Sequence, residues 1–405
     1  MRKIVYAGLM VALAVPAMAQ KTVVIKGTVS GDTKGYNKVY IYGTGVKQDS
    51  TEIHDGRFEF SLPFEESILP LMYLQYDLKL KGMYSPFGVL VETPGTVTIS
   101  DIDITKGLGS GKVAGIKSAV DYSTLNGLQS EAFKAASVEI EKKWGKPWLD
   151  RKDPRYEEFQ KDAAEFRGAA LKKVYADFTR KNPDSYAAAF ALAGSARSQL
   201  KVEDLEEVFK LLSPKRQKSP EGEKVISYIN GVRNSAIGKT VADFTLNTPE
   251  EKPLAFSSLK GKYVLIDFWA SWCGPCKASF PHMKEIYSKF KSDKFEIYSI
   301  SIDADKEAWL KELKVQELPW LQTLDTKNIS QSGFAVTAVP TTFLISPDGK
   351  ILEKEIGFKT DGTGKIEKML VDLFGKGETD ASIKDTKNSA DDKAAPKTVP
   401  MMRMQ

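Results

Sequence analysis

The amino-acid sequence predicts a multidomain chain: an N-terminal all-β, sandwich-like domain, a helical middle region and a C-terminal α/β domain. Three observations predict it. Short apolar–polar alternations, punctuated by Gly, Asn, Asp and Pro, recur up to about residue 105 and mark half-buried strands. Apolar residues then change to a spacing of three and four through residue 234, the period of a helix. From residue 236, continuous apolar runs alternate with helix-period segments, the pattern of a sheet covered by helices. A chain of 405 residues that is 42% hydrophobic can bury more than one core, so several domains are expected.

Residues 1–19 read as a signal peptide. Arg2 and Lys3 give a positive start, Ile4 to Val15 are almost wholly apolar, and Ala17-Met18-Ala19 is an A-x-A cleavage signature. The apolar stretch is shorter than the roughly 20 residues that span a bilayer. Cleavage after Ala19 would leave Gln20 first, with no cysteine beside it to carry a lipid anchor. No later segment reaches about 18 consecutive apolar residues, so the expectation is a soluble protein exported to the periplasm.

Residues 20–105 are expected to form the small all-β domain. Thr22 to Val29, Val39 to Tyr42, Arg57 to Phe60 and Thr96 to Ile99 carry its period-two pattern. Lys106 to Gly115 is glycine-rich and reads as a loop; it lacks the spacing of a phosphate-binding loop. Residues 116–234 form the helical region. Phe133, Val138, Ile140 and Trp144 begin it, and Tyr156 to Phe178 and the alanine-rich Ser185 to Leu200 continue it. Leu205, Val208, Phe209 and Leu212 then fall at i, i+3, i+4 and i+7. Ser219-Pro220-Glu221-Gly222-Glu223 opens a further helix through Tyr228. These stripes are packing surfaces rather than cofactor contacts. Residues 236–376 form the α/β domain. Residues 377–405 hold few large apolar side chains before the final methionines and are expected to be a disordered tail.

Charge excludes one class of partner. The 58 basic and 53 acidic side chains leave a net +5, too thin and dispersed to attract nucleic acid.

The chemistry points to the two cysteines, Cys273 and Cys276. A bridge across three positions closes almost no loop, so it is a poor staple even where disulfides persist. Its value is chemical. Tyr263 to Trp269 is a short apolar run with Asp267 in its middle, which fits a strand buried on both faces. Beyond the cysteines, Met283, Ile286, Tyr287 and Phe290 share a helical face, so the motif sits at a helix N-terminus. Free N–H groups and the positive end of the helix dipole favour an anion there. Cys273 is thus the expected thiolate nucleophile, in a setting that lowers thiol pKa values from about 8.5 into a range of roughly 3.5 to 7.5. Cys276, one turn in, is expected to be the more buried. Gly274-Pro275 fits a tight turn into the helix.

The stretch Val264-Leu265-Ile266-Asp267-Phe268-Trp269-Ala270-Ser271-Trp272-Cys273-Gly274-Pro275-Cys276-Lys277 resembles the active-site segment of thioredoxins. The longer pattern is similar to the exported TlpA/ResA-like branch. It comprises Gly238 to Phe244, Leu259-Lys260-Gly261-Lys262, Ser299 to Asp303, Val339-Pro340-Thr341-Thr342-Phe343-Leu344-Ile345 and Pro347-Asp348-Gly349-Lys350. It covers about a third of the chain. A weaker resemblance links the N-terminal β region to a small domain of unknown role found ahead of such modules.

The resemblance implies a thioredoxin-like fold and a thiol–disulfide oxidoreductase cycling between dithiol and disulfide, with no cofactor. Asp267 matches the buried acid that helps deprotonate the second cysteine; the plain alternative is a paired core carboxylate. Pro340 matches the cis-proline facing the disulfide, and Val339 the residue offering backbone hydrogen bonds to substrate; a strand-starting proline is the plain alternative. Trp272, Gly274 and Pro275 join them as implied substrate contacts, and Pro281 matches a helix-kinking proline. Two positions depart from the pattern. Ser299 stands where thioredoxins carry a lysine near the buried acid, and Ser279 where the TlpA/ResA-like branch has a glutamate. Implied partners are proteins carrying disulfides or thiols. The Gly-Pro dipeptide resembles the reducing end of the superfamily, so disulfide reduction is expected, fed by a membrane-bound electron donor.

Other readings are weaker. A peroxiredoxin-type peroxidase would place threonine three residues and proline seven before the reactive cysteine, where Ala270 and Ile266 stand. Structural zinc takes four ligands, and His54 and His282 are the only histidines, so no metal site is expected. Haem attachment would need a histidine at Lys277. A binding or scaffold protein with a vestigial redox site is the non-enzymatic alternative; both cysteines are intact.

Overall fold

A computed structural model of the chain describes residues 21–359 and 363–375, with the backbone of residues 402–403. Segment 1–19, expected to be a signal peptide, and the tail expected to be disordered, apart from 402–403, lie outside the described residues. The chain divides into two compact units, residues 1–134 with 185–188 and residues 135–184 with 189–405.

The first unit is built from β1 (Thr22–Ser30), β2 (Lys38–Thr44), β3 (Val46–Glu52), β4 (Arg57–Pro63), β5 (Leu69–Leu74), a short α1 (Gln75–Leu80), β6 (Phe87–Gly88), β7 (Gly95–Asp103) and β8 (Lys112–Gly115). One sheet has the order β4-β1-β7-β8, with β1 and β7 parallel, and the other the order β3-β2-β5-β6. Along β4 the alternation seen in the sequence becomes burial: Phe58, Phe60 and Leu62 point inward and their neighbours outward. Val23 and Ile25 of one sheet and Val39, Ile41 and Met72 of the other fill the same core. Gly27 makes room for the Phe58 ring, which a Cβ there would meet at 2.0 Å and displace. The glycine-rich segment expected to be a loop is corrected in part. Residues 112–115 pair with β7 as an edge strand, because ladder hydrogen bonding outweighs the low strand propensity of glycine.

Helix α2 (Lys117–Trp144) contributes residues to both units. It is followed by α3 (Tyr156–Lys181), α4 (Tyr186–Ala193), α5 (Val202–Phe209), α6 (Pro214–Gln217) and α7 (Pro220–Asn234). The punctuation before α7 works as the sequence suggests: the Ser219 hydroxyl accepts the Gly222 N–H, and Pro220 occupies the first turn, where its missing N–H costs nothing. Among the described residues no helix is long and apolar enough to cross a membrane.

The rest of the second unit is a thioredoxin-like domain. A hairpin of β9 (Thr245–Asn247) and β10 (Pro253–Ala255) leads into β11 (Tyr263–Trp269), α8 (Gly274–Phe290), β12 (Phe295–Ser301), α9 (Lys306–Gln316), β13 (Leu321–Leu324), α10 (Ile329–Ser332), β14 (Ala338–Val339), β15 (Thr341–Ile345), β16 (Ile351–Ile356) and α11 (Lys365–Phe374). The five-stranded sheet has the order β13-β12-β11-β15-β16. β11 to β13 are parallel, joined by helical crossovers, and β15 and β16 return antiparallel. This puts β11 at the centre, where its residues from Val264 to Trp269 are all buried, as a continuous apolar run requires. A two-residue strand, β17 (Met402–Arg403), pairs antiparallel with β14.

Candidate active site

The site forms where β11 ends and α8 begins. Cys273 is the N-cap residue of α8, with extended backbone angles (φ −83°, ψ 99°), and Pro275 occupies the first turn. The Cys273 Sγ accepts the Cys276 N–H at 3.1 Å, so the sulfur takes the place a serine or aspartate oxygen fills at other helix starts. Cys273 and Cys276 are joined in a disulfide with Cα atoms 5.3 Å apart. The site is therefore in its oxidised state.

Both cysteines are 0% exposed, so the expected difference, with Cys276 the more buried, is absent. The reason lies on the far side of Cys273, whose Sγ is 3.7 Å from the carbonyl oxygen of Val339. Val339 is buried, and its peptide bond to Pro340 is cis. Trp272, at 46% exposed, is the outward surface of the site together with exposed Gly274 and half-buried Pro275. The structure thus brings Cys273, Cys276, Trp272, Gly274, Pro275, Val339 and Pro340 to one place.

Asp267 is in the layer beneath, in the middle of β11, facing Ser299 of β12 and Thr342 of β15 in register. Its carboxyl is 1% exposed. Burial pushes its pKa up to about 7, against a smaller lowering by the hydrogen bond from Ser299. The Ser299 hydroxyl donates to Asp267 Oδ2 at 2.8 Å and accepts the Trp320 indole N–H, also at 2.8 Å. A neutral relay, Trp320 to Ser299 to Asp267, therefore stands where thioredoxins carry a lysine. Ser279, the other departure, donates to the Cys276 carbonyl at 2.7 Å, one helical turn back, and is occupied locally. Pro281 lies inside α8.

Two further residues were not singled out by sequence reasoning. Asp303 is buried beyond the end of β12 and accepts the Ser271 N–H (2.8 Å), the Ser271 hydroxyl (2.7 Å) and the Ser301 hydroxyl (2.6 Å). It ties down the segment that delivers Cys273. The matching stretch Ser299 to Asp303 ended on it, which was a usable signal. Trp320 gave none, because an aromatic residue beside a proline reads as packing.

Part of the chain is similar to known proteins. Residues 237–354 match the AhpC/TSA family. The thiol–disulfide oxidoreductase ResA of Bacillus cereus is 36% identical over 124 residues, which cover 31% of this chain and 72% of the relative. That of Bacillus subtilis is 34% identical over 131 residues, covering 32% and 73%. Among solved structures, the thioredoxin domain of a Bacteroides vulgatus thiol–disulfide oxidoreductase is 30% identical, covers 33% of this chain and 98% of its own, and has a TM-score of 0.31.

Proposed function

The chain belongs to the family of ResA-like thiol–disulfide oxidoreductases, and on that premise we propose that it reduces protein disulfides in the periplasm through Cys273 and Cys276. The observation that carries the reading is the position of the Cys273 sulfur. It caps the N-terminus of α8, receives the Cys276 amide and faces the Val339 carbonyl, where an incoming chain can lie alongside β14. That edge already accepts an antiparallel strand, β17, and backbone pairing of this kind is sequence-tolerant.

In the proposed cycle the Cys273 thiolate attacks one sulfur of a substrate disulfide. The substrate S–S bond breaks, a Cys273–substrate mixed disulfide forms, and the released substrate thiolate takes up a proton. Cys276 then passes its proton to Asp267, whose pKa near 7 suits transfer at neutral pH. The Cys276 thiolate attacks Cys273, closing the disulfide present in this structure and expelling the second substrate sulfur as a thiolate, which takes up a proton from solvent while Asp267 gives up its own. Two electrons have passed to the substrate, and a membrane-bound thiol donor restores the dithiol. The leader-like residues 1–19 support export, and the Gly274-Pro275 pair supports the reducing direction. The peroxidase alternative is disfavoured by Ala270 and Ile266, which stand where that chemistry needs threonine and proline.

The test is capture. Cys276→Ser should accumulate a covalent mixed disulfide with a disulfide-bonded protein such as insulin, seen on a non-reducing gel, and Cys273→Ser should not. Equal capture by both variants would sink the mechanism. Direction is read by redox titration: thioredoxin and DsbA lie near −270 and −120 mV, about 7 kcal/mol apart. A value at the DsbA end would make the protein an oxidant.

A further inference from the structure

The helical segment before the thioredoxin-like domain reaches the substrate-facing loop through side chains that the redox chemistry does not use. Arg197, in the short turn after α4, donates from Nη1 to Gln331 Oε1 at 2.8 Å. Gln331, in α10, donates from Nε2 to the carbonyl of Val336 at 2.7 Å. Three residues further on is Val339, whose own carbonyl faces the Cys273 sulfur. The arrangement is braced from α7. The Tyr228 hydroxyl donates to the Arg197 carbonyl at 2.8 Å, and the guanidinium lies over the Tyr228 ring at 5.5 Å. Gly231 lets α7 come against the loop: a Cβ there would sit 2.0 Å from the Gln331 carbonyl oxygen and 2.7 Å from the Ala335 nitrogen. Ala335 itself holds a left-handed backbone (φ 46°), uncommon for a residue with a side chain.

Arg197 is an expensive way to fill this space. Its guanidinium is largely buried against a neutral amide and an aromatic ring, and its Nε has no hydrogen-bond partner among the described residues. An apolar side chain of similar length would avoid that desolvation. What the guanidinium supplies is a fixed planar donor that orients the Gln331 amide, which in turn holds Val336. A cavity of about 340 Å³ bounded by Asn234, Ile329 and Phe334 lies beside the start of the loop.

We propose that Arg197 and Gln331 are positioning residues for substrate: they set the 335–340 loop at the distance from Cys273 that admits a protein disulfide. The inference rests on the reductase reading above, and it gives the helical segment a part in substrate engagement. Because Cys273 is fully buried under the Val339 carbonyl, small movements of this loop decide whether a bulky disulfide can reach the sulfur.

The experiment uses the full-length protein, insulin as the protein disulfide and a small aromatic disulfide as the control substrate. Gln331→Glu keeps an acceptor for Arg197, now charged, and replaces the donor to Val336 with an oxygen. Loss of one hydrogen bond corresponds to roughly five-fold in an equilibrium. The expected result is a rise of roughly five-fold in KM for insulin. kcat, the KM for the small disulfide and the Cys273–Cys276 reduction potential should stay unchanged, and the unfolding midpoint should be equal or higher. Arg197→Met, which removes the buried charge, should give the same KM pattern at undiminished stability, and it decides the matter if Gln331→Glu does not fold. Insulin KM within two-fold of the parent in the folded variants overturns the proposal, as does a matching change in the reduction potential. If the unaltered protein fails to reduce insulin at all, the reductase reading has failed instead.

Discussion

Replacing Asp267 by asparagine should make the protein more stable at neutral and alkaline pH while slowing its chemistry. The side chain is buried in the centre of the sheet, and its pKa rises from 3.8 to about 7 because a carboxylate there loses its water. At 1.36 kcal/mol per pH unit, ionisation costs the folded state about 4 kcal/mol relative to the unfolded chain. The sign follows from proton counting. Between pH 3.8 and about 7 the folded protein keeps a proton that the unfolded chain has lost, so stability falls as pH rises through this window. The contribution is fully present below 3.8 and fully lost above about 7. Asparagine has no such titration, and its amide oxygen can still accept from Ser299. Its NH2 group adds donors that need partners, a pH-independent cost of about 1–3 kcal/mol. The informative quantity is therefore the difference between variant and parent as pH changes. Measured by urea unfolding of the oxidised proteins, that difference should grow by about 3 kcal/mol in favour of the variant from pH 5 to pH 8. The Cys273 mixed disulfide should live longer in the variant, because Cys276 has lost its proton acceptor. Parallel stability curves over that range would show that Asp267 titrates normally, and the proton-transfer role would fall with them.

Ser299→Ala removes the one hydrogen bond that lowers the Asp267 pKa, so the pH at which mixed-disulfide resolution is half-maximal should move upward. A bond to a charged group is worth about 1.5–3 kcal/mol, so the move should be about one to two pH units; a downward move would contradict the relay. Asp303→Ala strands the Ser271 N–H and hydroxyl, and should cost about 1–3 kcal/mol of stability and lower insulin turnover. Unchanged turnover would make Asp303 a packing residue only. Ser219→Ala removes the α7 cap and should cost about 1 kcal/mol in urea unfolding, with a loss below 0.3 kcal/mol counting against the cap.

Legibility in the sequence followed the locality of the physics. β1, β4 and β7 alternate because each buries one face, and β11 was visible because it buries both. β3 was missed: Val46–Glu52 is polar along its length and exposed at a sheet edge, so no face imposes a period on it. β5 hides behind an unbroken apolar run containing Pro70, and β8 behind the glycine-rich segment that it ends. At the site, Cys273 and Cys276 were legible because their chemistry depends on a strand end, a turn and a helix start that are contiguous in sequence. The hydrogen-bond relay to Asp267 was not, since Ser299 reaches it from 32 positions away and Trp320 bonds that Ser299 from a further 21.

The same division separates the chemistry from access to it. Sulfur reactivity is set at the β11–α8 junction, by the buried strand, the N-cap position and the helix dipole, with Ser299 of β12 bonded to Asp267. The approach to that sulfur is set by residues 197, 228, 231, 331 and 336, which no local pattern joins. A substitution in the first set should alter the reduction potential or the pH profile for every substrate. One in the second should leave both untouched and discriminate between a large disulfide and a small one. Substrate choice can therefore change with the helical segment while the β11–α8 junction stays fixed, because the second set acts through the loop whose Val339 carbonyl faces the Cys273 sulfur.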